Sequence, residues 1–221
     1  MPYFPGPAAR PMRAESFRPP VTLRGDRIDL VPLDPGHRDA LLRALRDPEV
    51  NRFLSTPPGH TAESVGEYVA LLLGRQREGT DLPFTVVRRP DGHVLGMARY
   101  LHIDRPNDAV EVGTWLDSDL WRTPVNTELK FLLLRHAIEA EGAHRVVLQT
   151  DLRNERSQRA IARLGAVREG ILRDDRVVHD GYRRSSVVYS ILADEWPSVR
   201  ARLERYLRRP WEARAGRRAS A

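Results

Sequence analysis

LRNERSQRAIARLGAVREGILR, residues 152–173, is the stretch on which the fold turns. Asn154 is a favoured helix cap, because its short side-chain carbonyl can accept from an amide of the first turn. Gly165 stands where that helix should end, since the residue after a helix often takes a left-handed backbone that only glycine adopts freely. The segment after it, AVREGILR (166–173), reads as a strand. The segment before it, HRVVLQTD (144–151), reads as a compact buried strand. A strand–helix–strand unit with short connections is therefore predicted.

Downstream, RSSVVYSIL (184–192) adds a strand. DEWPSVRARLERYL (194–207) is a closing helix, acidic at its start and basic at its end as the helix dipole prefers. Upstream, WRTPVNTELKFLLLRHAIEAEGA (121–143) begins irregularly and becomes an apolar helix. Pro124 cannot donate its own amide, and Asn126 is a good cap for the apolar run beyond it. DAVEVGTWL (108–116) is a strand, and LPFTVVRRPDGHVLGMARYLHI (82–103) is a hairpin turning at Pro90-Asp91-Gly92. TAESVGEYVALLLGRQREG (61–79), capped by Thr61, and DPGHRDALLRALRD (34–47), capped by Asp34 with Pro35 behind it, are helices. VTLRGDRIDLVPL (21–33) alternates as a strand does. Antiparallel pairing in the first half and a βαβ unit in the second predict one α+β (mixed α/β) domain over residues 21–208. It would be flanked by a disordered Pro/Arg-rich tail (1–20) and a basic disordered tail (209–221).

Composition narrows the function. The 221 residues contain no cysteine, which excludes disulfides, thiolate metal sites and a cysteine nucleophile. No apolar run approaches the roughly 20 residues that span a bilayer, and the N-terminus lacks a secretory apolar stretch. A cytoplasmic protein without membrane contact is expected. The formal charge is +6, and Lys130 is the only lysine. The basic stretch RRPWEARAGRR suits RNA or a ribosomal surface, although a solvated tail is its default reading. There is no HExxH, GxSxG or GxGxxG. Gly165 and Gly170 have phosphate-loop spacing, but Ile171 and Leu172 replace the required Lys and Ser/Thr. No metal site is expected.

Two helix starts remain, at Asn126 and Asn154, each following a strand. Helix N-termini present unpaired amides and positive partial charge, so they suit anionic ligands. Capping alone accounts for either asparagine taken singly. Their placement in one βαβ-like unit brings the two ends to the same sheet edge.

At these residues the chain resembles the GNAT N-acetyltransferases, in the branch of the ribosomal-protein N-terminal alanine (Rim-type) enzymes. The family's N-x-x-S is matched by Asn154 and Ser157, its L-G-[FA] by Leu164-Gly165-Ala166, and its E-G by Glu169-Gly170. VEVGTWL and LRGDRIDLVPL match as well, so the likeness covers roughly residues 21–198.

The resemblance implies a mixed, mostly antiparallel sheet whose fourth and fifth strands (108–116 and 144–151) splay apart around acetyl-CoA. Pantetheine would pair with the backbone of Gly113, Trp115 and Leu116. The pyrophosphate would sit at the next helix, around Arg122, Val125, Asn126 and Thr127, with amides of about Val125 to Glu128 available. Most of the family has Q/R-x-x-G-x-G/A there; Arg122-Thr123-Pro124-Val125-Asn126-Thr127 has no glycine. Lys130 would be a compact phosphate contact, against the plainer reading of a solvated helix face. Arginines 153, 156, 159 and 163 form a stripe that reaches the cofactor's 3′-phosphate, RNA or solvent.

The implied reaction is direct attack of an amine on the thioester in a ternary complex. An amide near Trp115 or Leu116 would serve as oxyanion donor. Asn154 would hold the pantetheine arm and Ser157 would protonate the thiolate; the competing reading has the serine hydroxyl bonded to its own helix backbone. Glu111 is the expected base, against an ordinary solvent-facing strand residue. Tyr100, His102 and Asp104 are candidates to line the acceptor pocket. The acceptor would be a protein N-terminal α-amine. The alternatives are a small-molecule amine such as an antibiotic or polyamine, or a non-catalytic CoA- or RNA-binding module. The sequence leaves open whether the chain is a monomer or a homodimer.

Overall fold

A computed structural model describes residues 11–208. Eight strands form one sheet: β1 (Leu23–Arg24), β2 (Ile28–Pro32), β3 (Leu82–Arg88), β4 (Val94–Asp104), β5 (Ala109–Leu116), β6 (Arg145–Asp151), β7 (Val167–Val177) and β8 (Arg183–Leu192). Their order is β1-β2-β3-β4-β5-β6-β8-β7, and only β5 and β6 pair in parallel. The helices are α1 (Arg38–Ala44), α2 (Ala62–Glu78), α3 (Val125–Arg135), α4 (Glu155–Leu164) and α5 (Trp196–Leu207). The fold is α+β.

Strand alternation sends neighbouring side chains to opposite faces, and each face has its own core. Val110, Val112, Val146, Leu148, Val187 and Tyr189 pack with Leu129 and Leu133 of α3, Ile161 of α4 and Leu203 of α5. Met97 and Trp115 pack on the other face with Leu41 of α1 and Val65, Val69 and Leu72 of α2. Among the described residues no helix is long and apolar enough to cross a membrane.

Several boundaries differ from the sequence reading. The stretch 21–33 is broken at residues 25–27 into two strands, so the splayed pair is β5 and β6. Gly25 makes that turn possible, because a Cβ there would lie 2.4 Å from Glu128 Oε1. That buried carboxylate accepts from the amides of Asp26 and Arg27, at 2.6 and 2.8 Å, and so fastens the turn to α3. The helix expected over 34–47 is a 3-10 turn, Pro35–His37, followed by α1. The helix over 121–143 gives way after Arg135 to a π-helical turn, His136–Ala140.

Residues 11–20, expected to belong to a disordered tail, lie against the domain. Phe17 is 1% exposed, its ring edge-on to Tyr100 at 4.6 Å, and its amide donates to Glu141 Oε2. An aromatic outweighs the proline-rich composition around it, since burying a phenyl ring gains about 1.5–3 kcal/mol. The basic tail from 209 onward lies outside the described residues.

Candidate active site

β5 pairs with β6 only through Ala109, Val110 and Glu111, opposite Arg145, Val146 and Val147. Beyond that point β5 stays with β4 and β6 stays with β8. The facing edges, Val112–Leu116 and Leu148–Asp151, therefore diverge without partner strands, and a cleft of about 260 Å³ opens between them. The free edge of β5 is a row of backbone groups ready to pair with an extended ligand. Gly113, Trp115 and Leu116 all line it. Gly96 lets β4 lie close behind: its φ is +151°, and a Cβ would sit 2.3 Å from the Trp115 carbonyl oxygen. The Trp115 ring packs on the α1–α2 side, and its Nε1 finds no acceptor among the described residues.

The start of α3 closes one end of the cleft, by a different device from the expected one. Asn126 is not the cap. The helix begins at Val125, Pro124 holds the cap position, and no side chain of that residue can serve it. Thr123 substitutes: its hydroxyl donates to Leu120 O at 2.6 Å and accepts from Val125 N at 3.3 Å. Glu128 N donates to Pro124 O. The amides of Val125 and Glu128 are thus spent, and among the described residues only those of Asn126 and Thr127 keep no acceptor. The proline explains the misreading, since a ring with φ near −65° starts a helix readily. Arg122 has φ +66°, the left-handed conformation that glycine supplies more cheaply, and it lines the cleft.

Lys130 is not on a solvated face. It is buried, donates from Nζ to Thr114 Oγ1 at 2.7 Å, and burial lowers its pKa to about 7. It joins α3 to β5, and both Lys130 and Thr114 line the cleft.

At α4 the Asn154 cap is present: Oδ1 accepts from Ser157 N at 3.0 Å. The Ser157 hydroxyl makes no hydrogen bond among the described residues and lines the cleft. The four arginines are not a free stripe. Arg153 donates to Asp151, Arg159 pairs with Glu155, and Arg163 donates to Thr127 Oγ1 at 2.9 Å. Arg156 lies over the Trp121 ring, 3.2 Å from its centroid, at the cleft rim. Burial lowers its pKa, partly offset by the neighbouring Glu49 and Asp47, with Arg122 acting in the same direction as burial. Arg122, Arg156 and Asn126 all line the cleft, while Thr127 is buried outside its lining.

On the opposite face, Glu111 lines the cleft with its side chain 12% exposed, not in open solvent. Its Oε2 is 2.9 Å from His102 Nδ1, and this hydrogen bond raises the histidine's pKa. Tyr100 does not reach the cleft; it is buried, and its hydroxyl donates to Leu133 O at 2.7 Å. Asp104 caps the turn after β4. The sequence reading missed Gln149, Arg176 and Arg184, which line the same end of the cleft. The signal was available in RRSSVVYSIL: Arg184 and Ser186 alternate with residues whose neighbours Val187, Tyr189 and Ile191 are core.

The arrangement provides an open strand edge, a cationic rim with two free amides, an unpartnered hydroxyl and a carboxylate. The acetyltransferase (GNAT) domain model matches residues 27–167. Among solved structures, a putative acetyltransferase from T. thermophilus aligns with TM-score 0.78 at 43% identity, covering 85% of this chain and 97% of that one. RimJ of Mycobacterium smegmatis, in complex with CoA-disulfide, aligns with TM-score 0.76 at 24% identity, covering 86% and 96%, a likeness of fold alone. The "Putative ribosomal N-acetyltransferase YdaF" of Bacillus subtilis (strain 168) is 30% identical over 106 residues, 48% of this chain and 57% of that protein. With the family model spanning most of the sheet and the wedge at β5 and β6 in place, the chain belongs to the GNAT acetyltransferase family.

Proposed function

We propose that the chain is an acetyl-CoA-dependent N-acetyltransferase acting on a protein N-terminal α-amine, with a ribosomal protein as the intended class of acceptor. The observation that carries this is the wedge itself, with anion-binding groups at one end and a carboxylate at the other. Acetyl-CoA supplies the thioester whose carbonyl carbon the amine attacks; the N–C bond forms, the C–S bond breaks and CoA leaves as a thiol.

The residues fit such a donor. Backbone groups of Gly113 to Leu116 have no partner strand on the cleft side, and one of their amides would meet charge developing on the carbonyl oxygen. Arg122, Arg156 and the amides of Asn126 and Thr127 would hold phosphates, with Asn154 beside the pantetheine arm. Val125 serves this end by anchoring it in the core, and Lys130 by tying the helix to Thr114. The Ser157 hydroxyl would relay a proton to the sulfur, taking one from water in the same step so that no alkoxide is left. Glu111 would take the amine's proton, directly or through water, with His102 orienting the carboxylate. An α-amine titrates near ~7.7–8.0, well below the ~10.4 of lysine, so little base strength is required.

Supporting the acceptor choice is the ribosomal name of the Bacillus subtilis relative at 30% identity. The test is thermal denaturation with and without saturating acetyl-CoA, followed by mass spectrometry of a panel of N-terminal peptides and small amines. Stabilisation by mass action and acetylated peptides are expected. No stabilisation at saturating acetyl-CoA would sink the enzymatic reading.

A further inference from the structure

Arg184 has no role in the scheme above. It lies on β8, outside the residues matched by the family model, and is 5% exposed. Its Nε donates to Ser186 Oγ at 2.9 Å, and Ser186 in turn donates to Asp175 Oδ1. Guanidinium carries five N–H groups. Among the described residues, no acceptor receives those on its two terminal nitrogens, although the side chain lines the cleft. Burial lowers its pKa, and so does Arg176, its register partner on β7. Arg176 differs in turning its Nε to Asp175 and one terminal nitrogen to Gln149.

The terminal nitrogens are not among the buried atoms left without a partner, so they are open to a ligand in the cleft that the side chain lines. Asp151, Asp175 and Glu111 are near enough to favour its charge, so the cation persists without being fully bonded. Its direction follows from register. Glu111 pairs with Val147 and Leu101; Val147, Gln149 and Asp151 face Ser190, Val188 and Ser186. Alternation along β8 puts Arg184 on the face of Ser186, hence on the face of Glu111. A base and an unpaired hydrogen-bond fork thus share one end of the cleft.

Resting on the transfer reading, we propose that Arg184 recognises the acceptor through the oxygen next to its amine-bearing carbon. Its terminal N–H groups donate to that carbonyl or carboxylate while Glu111 faces the amine. The enzyme therefore selects α-amino acyl compounds over plain alkylamines. Polyamines are rejected, because a second ammonium would approach a guanidinium already crowded by Arg176. A peptide carbonyl and a free amino-acid carboxylate present the same oxygen, and the assay separates them.

The test measures CoA release with a thiol reagent, for which a chain without cysteine gives no background. Acceptors are an alanyl tripeptide amide, free alanine, isopropylamine and spermidine. Wild-type enzyme is expected to use the peptide, the amino acid or both, with kcat/KM at least about a hundredfold above isopropylamine and spermidine. Arg184→Gln should raise KM for the acyl-bearing acceptor by about tenfold to a hundredfold, the range of a lost charged hydrogen bond. Its KM for acetyl-CoA should not change, and Arg184→Lys should recover part of the loss.

Equal use of isopropylamine and peptide by the wild type overturns the proposal whether or not the variants fold. So does a folded Arg184→Gln enzyme with unaltered discrimination. Either result leaves acetyl transfer standing. Failure of the wild type to bind acetyl-CoA, read by thermal shift, overturns the transfer reading and this one with it.

Discussion

The two helix starts that border the cleft solve one problem in opposite ways. At α4 the cap is a side chain: Asn154 takes the Ser157 amide, and the serine hydroxyl is left free in the cleft. At α3 the cap position is a proline, a threonine two residues before the helix does the bonding, and the amides of Asn126 and Thr127 are what remain free. One end offers a hydroxyl, the other bare N–H groups and charge. Under the proposed function the difference would separate two jobs, proton delivery at α4 and anion holding at α3, and each can be perturbed without the other.

The largest effect should follow from Ser157→Ala. If the free hydroxyl protonates the departing sulfur, kcat falls about a hundredfold or more, the usual scale of a lost general acid. The acetyl-CoA affinity should barely move, because the Asn154 cap uses the backbone amide that alanine keeps. Steady-state kinetics beside a binding titration reads both quantities. Wild-type turnover would remove Ser157 from the mechanism and reduce α4 to a scaffold.

Lys130, one turn inside α3, gives the next effect, and it appears in stability. Its folded pKa is about 7 against 10.5 for an ordinary lysine. Between those values the unfolded chain binds more protons than the folded one, so this group adds stability as pH rises from 7 toward 10.5. Below pH 7 both states are protonated and the native state carries the full cost of a buried charge. Lys130→Met should therefore stabilise the protein on the order of 2 kcal/mol at pH 6, allowing for the Thr114 hydroxyl left without its partner. The gain should shrink above pH 7 and change sign before pH 10, because the wild type recovers about 1.4 kcal/mol per pH unit there. A difference constant across pH in denaturant melts would show that burial does not hold the amine neutral.

Much of this was legible in the sequence, and all but one of the failures share a physical cause. Asn154, Gly165, Thr61 and Asp34 act through backbone a few residues away, so their spacing alone revealed them. The matched motif at α4 made Ser157 legible for the same reason. What was misread depends on distant partners. Lys130 looked solvated because its partner Thr114 lies on a strand 16 residues earlier. Phe17 looked disordered because its docking partner is Glu141, 124 residues away. Arg184 was overlooked because only the register of β6 on β8 brings it to the face of Glu111. Asn126 was misread locally: it and Pro124 compete to start the helix, and the proline won.

That competition gives a smaller contrast. Asn154→Ala should cost about 1 kcal/mol by removing a working cap. Asn126→Ala should cost nearly nothing, since alanine suits a first-turn position and no capping bond is lost. Equal losses in chemical denaturation would put a cap at Asn126 after all, and α3 would then start like α4.

The smallest effect tests what the glycine-free loop of α3 does. A left-handed arginine costs roughly 1–2 kcal/mol that glycine would avoid, but glycine also gains freedom in the unfolded chain, worth about 0.4–1 kcal/mol in the other direction. Arg122→Gly should therefore raise stability by no more than about 1.6 kcal/mol. Binding separates the alternatives more cleanly. If the loop tolerates its strain in order to place a cation beside Arg156, the variant should bind acetyl-CoA several-fold more weakly, and the gap should close as salt screens the phosphates. If the guanidinium is incidental, restoring glycine lets the backbone approach the phosphates and affinity should hold or rise. Unchanged or tighter binding at low ionic strength would leave the amides of Asn126 and Thr127 as the working part of this end, and Arg122 as a residue whose strain serves no ligand.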